Sequence, residues 1–278
     1  NTNIGEVDIS SNKTPESIND AIKEKFDSAE IDDDKKNDDK IVTIKNDKKE
    51  ESIPIKDLEL APDQFVKFEN DAKIDYESGT LNLALDEDFK QVNINIKNEN
   101  DVALTIKNKK DCTIKINAEA QDNQLKTITI NSNSEVYGTL NFEAQENVKE
   151  IVIESIKLHE SGSVKSNVPI TVNNIAALPQ TTGKLTKVTV SKDIVISQTA
   201  SLELDDDVSL ESANLNLNLQ DFNPSNYKYP MLKGKLRNPP KTIKLTKSTD
   251  DSNVDNLEYL LFQGSFTDKC ENWKNIID

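Results

Sequence analysis

Residues 92–117, VNINIKNENDVALTIKNKKDCTIKIN, hold three runs in which every second residue is apolar: Val92, Ile94 and Ile96, then Leu104 and Ile106, then Cys112, Ile114 and Ile116. A period of two sends successive side chains to opposite faces of an extended chain, so each run reads as a strand with one buried face. The alternation recurs in IVTIK (41–45), KTITIN (126–131), GTLNFE (138–143), EIVIES (150–155), KVTVS (187–191), DIVIS (193–197), SLELD (201–205) and NLNLNL (214–219). Ile130 and Ile153 lie 23 residues apart, as do Val172 and Val195, and Val195 and Leu217 lie 22 apart. Two or three strands per turn of about 22 residues is the register of a β-solenoid, in which each coil buries its inward side chains on the coils above and below.

A β-sandwich also spaces its strands closely, but three features favour the solenoid. The strands outnumber those of one sandwich. The tight-hairpin dipeptides Asn-Gly and Asp-Gly are absent, with only seven glycines in the chain. Aromatic residues, which would fill a wide two-sheet core, make up 5%. Asparagine, frequent at strand ends and turns, tolerates a left-handed φ and is expected at the corners of the coils.

The 278 residues suffice for one large or two smaller domains, yet 35% hydrophobic residues and a formal charge of -16 restrict any core to a narrow, repetitive one. Only Arg237 among the 34 basic residues is arginine, so the guanidinium and aromatic contacts that hold nucleic acid are missing. No run of 18 apolar residues occurs, and the opening NTNIGEVDIS lacks the basic and apolar blocks of a secretory signal. The sequence therefore predicts neither a nucleic-acid partner nor direct membrane insertion. One glycosylation sequon, NKT at Asn12, is present. Cys112 and Cys270 are read either as a single bridge or as two buried or free thiols.

PESINDAIKEKFDSAE (15–30) breaks the period of two. Thr14 and Pro15 suit an N-cap and first helical residue. Ile18, Ala21, Ile22, Phe26 and Ala29 then recur at helical spacing, predicting an amphipathic helix that closes the open end of the first coil. IDDDKKNDDK (31–40) reads as a solvated loop without the glycine and terminal glutamate of an EF-hand. After Leu219 the texture changes again. DFNPSNYKYP (221–230) interrupts the alternation, and MLKGKL (231–236) and LFQGSF (261–266) share a form that predicts paired strands of a closing cap. The expected organisation is a cap and acidic loop at 1–40, coils at 41–220 and a C-terminal cap segment at 221–278.

The helix SINDAIKEKF, the strand KIVTIK and the turn leading to SIPIKDLEL resemble the start of pectin-lyase-like right-handed parallel β-helix proteins. Ile18, Ala21 and Ile22 stand at the cap position, and Ile41, Val42 and Ile44 at the first strand. The family turn carries a glycine and a tyrosine before a glutamate, whereas this chain has NDKKEES and matches in its glutamate and length. The resemblance implies an all-β, right-handed parallel β-helix with an N-terminal capping helix and a C-terminal cap. It further implies membership among the noncatalytic, autotransporter-passenger-like adhesins.

Enzymes of that architecture use clustered aspartates with calcium and a basic residue, or aspartates beside a Gly-His-Gly turn; neither set is found. His159, the only histidine, has no adjacent glycine, and Arg237 lies outside the coils. Asp205, Asp206 and Asp207 form the best acidic cluster, read either as a calcium site or as a solvated turn. Tyr227, Tyr229 and Trp273 are candidate aromatic binding anchors, Trp273 alternatively packing down the chain end. The sequence thus predicts a noncatalytic secreted or cell-surface protein that binds a receptor, extracellular matrix or glycan, with no cofactor beyond possible calcium. The alternatives are a polysaccharide lyase or hydrolase with a degenerate site, and a structural subunit assembling through its solenoid ends.

Overall fold

The structure, a computed structural model, describes residues 7–8, 29–33, 40–44, 52–88, 90–97, 101–119, 124–205, 207–219, 231–234, 240–247 and 262–264. Every regular element among them is a strand. From Lys40 onward the ladder strands alternate between two sheets, and each pairs in parallel with the strand one coil away. This is a parallel β-solenoid with two ladder strands per coil.

The chain forms two compact units, Asn1–Ser132 with Asn141–Ile151, and Asn133–Leu140 with Val152–Asp278. In the first, one ladder runs through Val7–Asp8, Ser52–Lys56, Ala72–Tyr76, Lys90–Ile96 and Cys112–Ala118. The other runs through Ala29–Asp33, Lys40–Ile44, Gln64–Phe68, Gly79–Leu85 and Asp101–Asn108. In the second unit the ladders are Ser163–Ser166, Thr182–Thr186, Ser201–Asp205, Leu232–Gly234 and Phe262–Gly264, and Ile170–Ala177, Val188–Ile196, Asn214–Leu219 and Thr242–Lys247.

Parallel register stacks like on like. Ile53, Ile74, Ile94 and Ile116 are successive partners in the first unit, and Ile175, Ile194, Leu215 and Ile243 in the second, none more than 2% exposed. Each such side chain contributes about 1.5–3 kcal/mol by leaving water. Interlocked aliphatic columns thereby replace the aromatic core of a wider fold.

The register corrects the spacing taken from the sequence. Val172 lies opposite Val190, and Val195 opposite Ala176 on one side and Asn216 on the other, so Val195 is the partner of neither Val172 nor Leu217. Coil length varies: bonded outer residues are 18 apart for Ser191 and Asn173, 22 for Asn117 and Asn95, and 28 for Thr242 and Asn214. The turns absorb the difference, because only the strands must stay in register.

The corners differ from expectation too. Among the described residues the non-glycine residues with positive φ are Asp57, Glu160, Gln180, Lys187 and Asp207, and no asparagine is among them. Bonds to the neighbouring coil offset the strain of these conformations. Asp57 N–H donates to Ser78 Oγ (2.9 Å), Ser78 Oγ–H to Asp57 Oδ1 (3.0 Å), and Gln180 N–H to Thr199 Oγ1 (2.8 Å). Glycine is needed where coils touch backbone to backbone: a Cβ on Gly162 would meet Val136 O at 2.2 Å.

The segment Ala29–Asp33, expected as a helix end and solvated loop, is a strand paired antiparallel to Lys40–Ile44. Pairing with an apolar strand outweighs the local polarity of IDDD. The helical positions Ile18, Ala21, Ile22 and Phe26 lie outside the described residues. Leu232–Gly234 and Phe262–Gly264 do pair, in parallel and with Gly234 opposite Gly264, so the ladders continue past Leu219.

Cys112 is a free thiol on the inward face, 5% exposed. Burial pushes its pKa from 9.0 up to about 12, an Asn108 side-chain hydrogen bond opposing this and the Asp111 charge adding to it. It is therefore expected to resist iodoacetamide at pH 8 until the chain is unfolded in urea. The folded thiol holds its proton more tightly than the unfolded one, so its contribution to stability is complete below pH 9 and fades as pH rises toward about 12. The alkaline fall in denaturation midpoint should shrink in Cys112→Ala. A second expectation concerns the corner: Gly162→Ala should cost about 1–3 kcal/mol in chemical denaturation, whereas a change at exposed Leu125 stays within about 0.5.

Candidate functional site

The alternation that buries Ile74, Ile94 and Ile116 turns their neighbours outward. Lys73, Asn93 and Lys115 are successive partners in one outer column of the first unit, with Ser52 opposite Lys73; Asp75, Asn95 and Asn117 form the adjacent column. Neighbouring strands in a sheet lie roughly 4.8 Å apart, which fixes the spacing of these side chains. A groove of about 650 Å³ lies over them, walled by the turn Gln145–Asn147.

Hydrogen bonds hold the Asp75 column in place. Asn117 Nδ2 donates to Asn95 Oδ1 at 3.1 Å, and Asn95 Nδ2 donates to Glu119 Oε1 at 2.9 Å and Asp75 Oδ1 at 3.4 Å. The wall is braced as well. Gln145 N–H donates to Ile116 O at 2.8 Å, Asn147 Nδ2 to Ala118 O at 3.1 Å, and Lys126 N–H to Asn147 O at 2.8 Å. Lys115 Nζ lies 3.8 Å from Glu143 Oε2. Asn93 differs: its Oδ1 is closed off from water and has no hydrogen-bond partner among the described residues.

The lining contains no histidine or cysteine, and its charges, Lys73 and Lys115 against Asp75 and Glu146, balance in a chain of net charge -16. Its apolar members, Ile74 and Ile94, are 1% and 2% exposed and belong to the core. Such a surface offers fixed amide donors and acceptors, and it lacks the apolar pockets that protein side chains use as anchors.

Of the residues singled out in the sequence, those that are described lie elsewhere. Asp205 ends the strand Ser201–Asp205, its Oδ2 lying 3.2 Å from Lys184 Nζ, while Asp207 sits exposed at a φ of +53° and Asp206 lies outside the described residues. Among the described residues no three His, Cys, Asp or Glu side chains are placed to hold a metal ion. Tyr227, Tyr229, Arg237, Cys270 and Trp273 are outside the described residues. His159 follows the strand Val148–Leu158, with Nε2 3.0 Å from Glu135 Oε1 and its ring stacked on Tyr137 at 4.2 Å and 7° between planes. It is thereby one step of an outer ladder.

Asn93, Asn95 and Asn117 were not singled out by the sequence reading. Their signal is the polar member of the alternation in VNINIK and CTIKIN, repeated 22 residues on at Asn95 and Asn117; it acquires meaning only when the coil register is known. No protein-family model, curated protein or solved structure matches this chain.

Proposed function

We propose that this chain is a noncatalytic, secreted or cell-surface β-solenoid of the pectin-lyase-like, adhesin type, which binds glycan through the polar groove of its first unit. The observation that carries the reading is the pair of outer columns, Lys73–Asn93–Lys115 and Asp75–Asn95–Asn117, laid side by side under one groove. Sugar hydroxyls both donate and accept, as do amide side chains, so such columns complement a polyhydroxylated chain. Side chains already fixed by one another lose little freedom on binding, which favours affinity. The extracellular location rests on the resemblance of the N-terminal region to that superfamily.

A panel of immobilised neutral and acidic polysaccharides, read both for retention of the purified chain and for release of reducing or unsaturated sugar ends, tests this. The expected result is saturable retention without released ends, weakened roughly tenfold by Asn95→Ala, which removes the three hydrogen bonds that fix the second column. Turnover of any polysaccharide, or failure to retain the chain on all of them, overturns the reading.

A further inference from the structure

The amides of the second groove column all point one way. Asn117 Nδ2 donates to Asn95 Oδ1 at 3.1 Å, and Asn95 Nδ2 donates to Glu119 Oε1 at 2.9 Å and to Asp75 Oδ1 at 3.4 Å. A carboxylate only accepts hydrogen bonds, whereas an amide has one donating and one accepting end. Glu119 and Asp75 therefore turn the NH2 of Asn95 toward themselves. That leaves Asn95 Oδ1 for Asn117, and turns the NH2 of Asn117 toward Asn95. The oxygen of Asn117 is thereby held on the side away from Asn95. Among the described residues no group donates to this Oδ1, and it is not one of the acceptors closed off from water. Asn117 lines the groove beside the wall Gln145–Asn147, whose first residue is bonded to Ile116 O.

We infer that Asn117 is the specificity-determining residue of the groove, its Oδ1 accepting a hydrogen bond from a hydroxyl of an uncharged oligosaccharide, with Glu119 and Asp75 as the positioning residues that keep it an acceptor. This rests on the glycan reading above and deepens it. A sugar carries two kinds of oxygen: hydroxyls donate and accept, while ring and glycosidic oxygens only accept. An acceptor of fixed orientation takes the first and excludes the second, so it selects the edge of the sugar that meets the column. Uronate and sulfate groups also only accept, and the net charge of -16 repels them.

Neutral trisaccharides of glucose, mannose and xylose, each with analogues carrying fluorine in place of one hydroxyl, test this by titration calorimetry. Fluorine is close to a hydroxyl in size and cannot donate. For the sugar bound best, one analogue should bind roughly tenfold more weakly than its parent. Asn117→Ala should bind that analogue and its parent alike. Asp75→Asn combined with Glu119→Gln lets the amides reverse, and should shrink the same preference without lowering the unfolding midpoint. Asp205→Asn, in the second unit, should leave it unchanged. If every analogue matches its parent, or the preference survives Asn117→Ala, this inference alone fails. A folded double variant that keeps the full preference overturns the role of the two carboxylates; should that variant not fold, Asn117→Ala decides. Absence of binding to all three parent sugars overturns the inference together with the glycan reading.

Discussion

Backbone hydrogen bonds join each strand to the strand one coil away, in parallel, and so set every side chain opposite one partner before and one after. Inside, this puts Ile74 on Ile53 and Ile94 on Ile74, which lets a chain with few aromatic residues bury its core in interlocking aliphatic columns. Outside, the same ladder sets Asn95 on Asp75 and Asn117 on Asn95. Core and groove are two faces of one register. A slip by one residue would exchange them, turning Asn93 inward and Ile94 into water.

That register had to survive coils of unequal length, and the corners show how. Where extra residues are admitted, they enter the turns, while the strands on either side keep their partners. The irregularity between Val172 and Asn174 is the exception, a bulge within the ladder itself, and its neighbours Asn173 and Asn174 are tied by side-chain bonds to Glu154. At the start of the first unit the parallel rule is broken by Ala29–Asp33, which pairs antiparallel. A segment whose sequence includes Glu30, Asp32 and Asp33 makes a poor template for an incoming strand, which is the purpose the sequence had suggested for a helix.

Alternation made the strands and the solenoid class legible, because burial on one face of a strand leaves its mark within five residues. Register is a relation between residues of different coils, and with coil length varying, no fixed period could expose it; Val172 was matched to Val195 when its partner is Val190. The same gap hid the groove. Asparagine was read through its tolerance of left-handed φ, yet Asp57, Glu160, Gln180, Lys187 and Asp207 take those corners, and Asn95 and Asn117 bond each other along the outer face. Local propensity gave way to contacts with the next coil. Asp205 illustrates the same gap, since a neighbouring strand supplies Lys184 as its partner, which a local reading cannot see.

Separating the faces of a strand also separates stability from recognition. In a wide globular fold a binding residue commonly touches the core, and changing it disturbs packing. Here the side chains of Asn93, Asn95 and Asn117 stand on the outer face, while the bonds that hold the strands belong to the backbone and the buried columns to Val92, Ile94, Ile114 and Ile116. An outer position can therefore change without disturbing the coil, and an unfavourable acceptor such as Asn93 Oδ1 can be kept without endangering the fold.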